Sequence, residues 1–178
     1  MTLKLKTCTV RSWRADDLES LVVHANNRKI WLNVRDRFPH PYTKSDGQAF
    51  IRASRTMQPE SNFAISFDGA AVGGIGFHLQ ADVDRVSAEI GYWLGEPFWG
   101  RGMAAEALAA VTRYAIDEHG LTRLFALPFA HNTASCRVLE KAGYGLEARL
   151  RRSAIKNGAV VDQLQYAYVV PEPSRQPG

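Results

Sequence analysis

AEIGYWLGEPFWGRGMAAEAL, residues 88–108, joins two periodicities across a glycine turn. Ala88, Ile90, Tyr92 and Leu94 alternate with Glu89, Gly91 and Trp93, which is the two-residue period of a strand. From Gly102 to His119 the apolar residues Ala104, Ala107, Leu108, Val111, Tyr114 and Ala115 recur at helical spacing, and Gly120 ends the run. Between them lies Trp99-Gly100-Arg101-Gly102-Met103-Ala104. A helix N-terminus exposes unpaired amides and the positive end of the dipole, and both attract phosphate. Gly100 and Gly102 let the backbone approach an anion without a Cβ in the way. A tight strand-to-helix turn with no ligand reads the same way, so the loop by itself does not choose a cofactor.

Outward from this stretch, Lys4–Arg11 alternates as a first strand. A helix opens at Ala15-Asp16-Asp17, with Leu18, Leu21, Val22 and Ala25 on one face. Residues 28–42 contain Pro39 and Pro41 and read as irregular. A second helix is expected from Thr43–Ser45 to about Met57. Phe63–Phe67 and Ala71–Phe77 form a hairpin through Asp68-Gly69, and Val86–Leu94 adds a third strand. Gly73-Gly74-Gly76 looks like a phosphate loop but sits inside a strand, where a bulge is the expected reading. Leu121–Phe129 is a short strand and Asn132–Ala142 a helix. Tyr144–Ile155 and Val160–Val170 pair through Asn157-Gly158. The pattern is one mixed α/β domain over residues 1–170, followed by a disordered tail at 171–178.

The 178 residues are 46% hydrophobic and 22% charged, which suits a soluble domain of ordinary size. No apolar run is long enough to span a membrane, and MTLKLKTCTVRSW lacks a signal-peptide core, so a cytoplasmic address is expected. Cys8 and Cys136 are expected as free thiols. The five histidines show no metal-ligand spacing, and no metal is expected. Net charge is +4, concentrated early: residues 1–60 hold 11 Lys and Arg against 6 Asp and Glu. Such an excess suits an anionic partner, but no basic–aromatic interleaving points to nucleic acid.

Two further features carry chemistry. Glu89 is an acidic residue within a core hairpin, costly unless it serves a cleft or a partner; facing solvent or pairing with an arginine are the alternatives. Asn132-Thr133-Ala134-Ser135 opens the last helix, with Asn132 an apt N-cap. If strands 86–94 and 121–129 run parallel, their C-terminal ends meet at one cleft with Ser135 nearby.

The segments AEIGYWL (88–94), FWGRGMAAEAL (98–108), N-x-x-S-x-x-V-L-E-K-x-G-Y (132–144) and RDRFPHPYT (35–43) together resemble the GNAT superfamily of N-acetyltransferases, and within it the RimJ/RimL-like, ribosomal-protein-alanine acetyltransferase group. Trp99 departs from the Gln or Arg common at its position. The resemblance covers roughly residues 3–170 and implies a GNAT-like mixed α/β fold. Its features are a twisted mixed sheet of about seven strands, helices on both faces, and two splayed parallel strands holding the cofactor. It implies acetyl-CoA as cosubstrate. Gly100, Arg101, Gly102, Met103 and Ala104 would hold its pyrophosphate, the backbone of Tyr92, Trp93 and Leu94 its pantetheine arm, and Asn132 would bond the same arm or the diphosphate. Glu89 and Ser135 would be catalytic. Arg35, Asp36, Phe38 and Tyr42 would face the acceptor, a protein N-terminus or a small-molecule amine. A homodimer through the last strands is the self-association to consider. Acyl transfer to an amine needs a neutral amine, a donor to the developing oxyanion and a proton for the leaving sulfur. Glu89 suits the first task and Ser135 the last. A non-catalytic acyl-CoA-binding module of the same fold is the alternative, and a plain nucleotide-binding domain lacks its usual glycine pattern.

Overall fold

In chain order the strands are β1 (Thr2–Lys4), β2 (Thr9–Ser12), β3 (Asn62–Phe67), β4 (Ala70–Leu79), β5 (Ser87–Leu94), β6 (Arg123–Ala126), β7 (Gly145–Lys156) and β8 (Ala159–Val169). The helices are α1 (Leu18–Ala25), α2 (Arg28–Trp31), α3 (Lys44–Thr56), α4 (Met103–His119) and α5 (Thr133–Lys141). The structure, a computed structural model, describes residues 1–172. The disordered tail expected at 171–178 lies, from residue 173 onward, outside the described residues.

The strands form one sheet in the order β1-β2-β3-β4-β5-β6-β8-β7. Every neighbouring pair is antiparallel except β5–β6, which is parallel and is connected through α4. Alternation along the strands sorts side chains onto two faces. Ile75, Phe77, Ile90 and Leu94 pack with Leu108 and Val111 of α4 and Leu139 of α5. On the other face Ala64 and Ala71 pack with Leu21 and Ala25 of α1, Ile51 of α3, Trp13 and Tyr42. Burying a side chain such as Leu108 or Leu21 stabilises the fold by roughly 1.5–3 kcal/mol.

The sheet has eight strands, because the expected first strand divides into a hairpin. Its turn is held by Glu106 on α4, whose carboxylate accepts from the amides of Lys6 at 2.8 Å and Thr7 at 2.9 Å. The first helix is also later than expected: Ala15–Asp17 is a 3-10 turn and α1 starts at Leu18. Within the segment read as irregular, Asn27 caps the short α2 by accepting from the Lys29 amide at 2.8 Å. The β4 register shift falls at Val72, between Ala71 and Gly73, beside the glycine cluster rather than within it. The glycines make room instead: a Cβ on Gly74 would meet the Trp93 indole at 2.7 Å.

α1 is fastened to the sheet by a buried bidentate pair. Arg11 on β2 donates to Asp17 at 2.8 and 2.7 Å, and each side chain is 5% exposed. Removing one partner strands the other charge in the interior. Asp17→Ala should therefore lower unfolding free energy by about 3 kcal/mol in urea denaturation. A change below about 0.5 kcal/mol, the range of ordinary surface substitutions, would mean the pair does not hold α1.

Candidate active site

The glycine loop leaves the start of α4 open. Gly100 and Gly102 have φ of 76° and 81°, and a Cβ at either would meet nothing within 4 Å. Gly102 is the N-cap of the 17-residue α4, and the first intrahelical bond runs from the Glu106 amide to the Gly102 carbonyl at 3.1 Å. The amides of Met103, Ala104 and Ala105 precede that bond and have no helical partner. The Met103 side chain is buried in the core, so only its amide faces outward. Arg101 is exposed, its guanidinium 5.4 Å from the centre of the Phe98 ring.

The slot beside this loop follows from strand length. β5 and β6 pair only from Ser87 to Glu89 and from Arg123 to Phe125. β6 stops at Ala126, just before Pro128, which has no amide to donate, whereas β5 continues to Leu94. Backbone groups of successive strand residues point to opposite sides. The Gly95 amide donates to the Val72 carbonyl on β4 at 2.8 Å. By alternation, Trp93 also faces β4, and its carbonyl lies 2.5 Å from where a Gly73 Cβ would sit. Tyr92 and Leu94 therefore present their backbone to the slot, and Trp93 does not. The Leu94 carbonyl already accepts from the Trp99 indole at 2.7 Å. Trp93 contributes its side chain to the opposite face.

That opposite face carries Glu89, Gly91 and Trp93 in a cleft of about 670 Å³. Glu89 Oε1 accepts from the Arg35 guanidinium at 3.0 Å, the Glu89 and Arg35 side chains being 34% and 42% exposed. Both sequence alternatives for Glu89 thus hold together, since it faces the cleft and pairs with an arginine. Its cross-strand neighbour His78 lies 2.7 Å, at Nε2, from the Arg37 guanidinium. Arginine only donates, so Nε2 accepts and the ring is neutral. Burial first, and the Arg37 charge second, hold the His78 imidazole below its ordinary value, against a smaller upward pull from Glu89.

Ser135 reaches the cleft from the first turn of α5. Its Oγ is 2.8 Å from the Tyr92 hydroxyl, which lies within donating distance of the Ser135 carbonyl at 3.1 Å as well, so its one proton serves one or the other. Burial pushes the Tyr92 hydroxyl well above its usual range, so it keeps its proton. Asn132 caps α5, accepting from the Ser135 amide at 3.1 Å. The carboxamide therefore fixes the serine. Cys8 and Cys136 are free and buried, and burial raises both thiols.

The acceptor-side residues divide. Phe38 and Tyr42 line the cleft with ring centres 5.0 Å apart, and Phe38 sits 5.6 Å from Trp93. Burial, with Asp46 nearby, pushes Tyr42 up to about 12, so it is a wall rather than a base. Arg35 turns to Glu89. Asp36 turns instead to Lys156 at the end of β7, accepting from Nζ at 2.6 Å. Lys156 is 3% exposed, and its Nζ lies 4.0 Å from the centre of the Trp31 ring. The β7–β8 tip thereby pins the segment that carries Arg35 and Phe38. Sequence reading missed this pin, because residues 36 and 156 share no periodic pattern. It also missed the Tyr92 hydroxyl, although strand alternation already set Tyr92 on the face that α5 covers.

Losing the ammonium removes a charge-assisted bond and a cation–π contact, together worth about 1–3 kcal/mol. Lys156→Met should therefore speed tryptic cleavage after Arg35 and Arg37 about tenfold under native conditions. Equal cleavage in wild type and variant would show that the segment is held elsewhere.

Residues 8–145 match the family described as Acetyltransferase (GNAT) domain. The chain is 39% identical to the uncharacterized N-acetyltransferase YoaA of Bacillus subtilis (strain 168), over 56% of each chain, so the match spans about half of that relative. It is 37% identical to the probable N-acetyltransferase YjcK of the same organism, over 96% of this chain and 98% of YjcK. It is 30% identical to the ribosomal-protein-serine acetyltransferase of Escherichia coli (strain K12), over 80% of this chain and 81% of the relative. Among solved structures, the microcin C7 self-immunity acetyltransferase MccE, in complex with acetyl-CoA and AMP, superposes with a TM-score of 0.80 at 25% identity, over 93% of this chain and 94% of MccE. The open glycine loop, the splayed strands and the matched family description agree, and the chain belongs to the GNAT acetyltransferase family.

Proposed function

We propose that the protein transfers an acetyl group from acetyl-CoA to a primary amine by direct attack, with both substrates bound together. The observation that carries this reading is convergence: Glu89, the Tyr92–Ser135 pair and the splayed ends of β5 and β6 line one cleft, and the open α4 N-terminus follows β5 in the chain by a short loop. The loop fits a diphosphate, since Gly100 and Gly102 leave its space open. The slot offers the Tyr92 backbone and the Leu94 amide to the pantetheine amides. Acetyl-CoA supplies the activated thioester carbonyl; the remaining work falls to the chain.

Glu89 takes the proton of the incoming ammonium, directly or through a water. Arg35 holds one carboxylate oxygen at 3.0 Å and so fixes the orientation of the other. On the far side of β5, when the Tyr92 proton turns from the Ser135 carbonyl to Ser135 Oγ, the serine proton is free to hydrogen-bond the departing sulfur. No enzyme nucleophile is required, which agrees with the burial of Cys136. The acceptor is a protein N-terminus or a small amine. The ribosomal-protein-serine acetyltransferase among the relatives supports the first, and MccE the breadth of the fold.

A general base contributes roughly 10²–10⁴ in rate. Glu89→Gln should lower kcat about a hundredfold or more in a thiol-release assay, while the acetyl-CoA Kd from calorimetry changes less than about twofold. Ser135→Ala should lower kcat about tenfold with the same binding. Full turnover in both variants removes the assigned roles. Gly102→Asp puts a carboxylate and a strained φ at the phosphate site and should abolish acetyl-CoA binding; retained binding would move the diphosphate elsewhere.

A further inference from the structure

Between Glu89 and Trp93 on the cleft face of β5 stands only Gly91. The three share one face, and four strand residues span about 13 Å. A Cβ on Gly91 would meet nothing within 4 Å, and its φ lies outside the left-handed range. The glycine is therefore not required by a turn or by a close backbone approach. It leaves open space between the proposed base and an aromatic wall in which Phe38 packs edge-on to Trp93 at 5.6 Å.

Two ion pairs flank this space. Glu89 pairs with Arg35, and Asp36 pairs with Lys156. Asp46 accepts from the Thr43 amide at 2.8 Å as a helix cap. Arg37 meets only the neutral His78 ring among the described residues. The carboxylates lining the cleft are Glu89 and Asp46; Asp46 is engaged in capping α3, and the guanidiniums of Arg35 and Arg37 would repel a second cation.

We propose that the space over Gly91 takes the apolar body of a monoamine acceptor, its amine at Glu89 and its bulky group against Phe38 and Trp93. This rests on the acetyl-transfer reading above and names its substrate class: a single amine beside a large apolar group, with no further positive charge. Such chemistry is offered by an arylalkylamine or by a chain end with a bulky apolar first residue. Polyamines and aminoglycosides are poor fits. Gly91 is then a specificity-determining residue, since a branched side chain there fills the gap without disturbing the backbone, which pairs with Gly76 on β4.

The test is a thiol-release assay with acetyl-CoA and phenethylamine, ethylamine, spermidine, or neutral peptides starting with Phe or Ser. Wild type should favour phenethylamine over both ethylamine and spermidine by about tenfold or more in kcat/KM, and the Phe-first peptide over the Ser-first one likewise. In Gly91→Val the phenethylamine-to-ethylamine ratio, and the corresponding peptide ratio, should fall by about tenfold. Phe38→Ala, which removes the wall rather than filling the gap, should lower the same ratios. Whichever pair discriminates more strongly in wild type identifies the source of the apolar amine. Ratios unchanged in both variants overturn the proposal, and so does a wild-type preference for spermidine with acetyl transfer intact. Release with none of these acceptors overturns the acetyl-transfer reading itself along with the proposal.

Discussion

The site depends on the separation of β5 from β6 after three paired residues. As long as two parallel strands stay paired, their backbone groups satisfy one another and no ligand can enter. Here β6 ends at Ala126, while β5 runs on to Leu94 with its other edge still paired to β4. One edge of β5 is left with backbone groups that no neighbouring strand pairs. An extended chain of amides is the complement of such an edge, and the pantetheine arm has that shape. The N-terminus of α4, only a short loop beyond Leu94, adds a site for negative charge at one end of the slot.

β5 also divides the chemistry by its pleat. Residues 90, 92 and 94 face α4 and α5; residues 89, 91 and 93 face α1, α3 and the segment at 32–42. Tyr92 therefore lies on the side of Ser135, and Glu89 on the side of Arg35. In the proposed reaction the carboxylate and the hydroxyl pair would act from opposite faces of one strand, so proton removal and hydrogen bonding to the sulfur would not compete for one position. Lys156 belongs to the Arg35 side. Lys156 secures, through Asp36 and Trp31, the segment from which Arg35 reaches Glu89.

Much of this was legible in the sequence, for reasons that differ by element. Strand β5 and helix α4 each carry a clean period, and Gly100 and Gly102 mark the turn between them. Asp68-Gly69 and Asn157-Gly158 announced their hairpins. The first strand was misread because its break depends on Glu106, about 100 residues away, accepting from the Lys6 and Thr7 amides. Asp36 was placed toward the acceptor because nothing local reveals Lys156. Trp93 was assigned to the slot by its backbone, yet strand alternation, anchored by the Gly95–Val72 bond, turns it to β4. Local periodicity is written in neighbouring residues, whereas the break between β1 and β2 and the Asp36–Lys156 pair arise from partners 100 and 120 residues away.

Amide hydrogen exchange followed by NMR, with and without saturating CoA, tests the slot most directly. The amides of Tyr92, Leu94, Met103, Ala104 and Ala105 should slow sharply on binding, while the Trp93 amide, already directed to β4, should change little. CoA binding that leaves those five amides exchanging at their original rates would contradict the account.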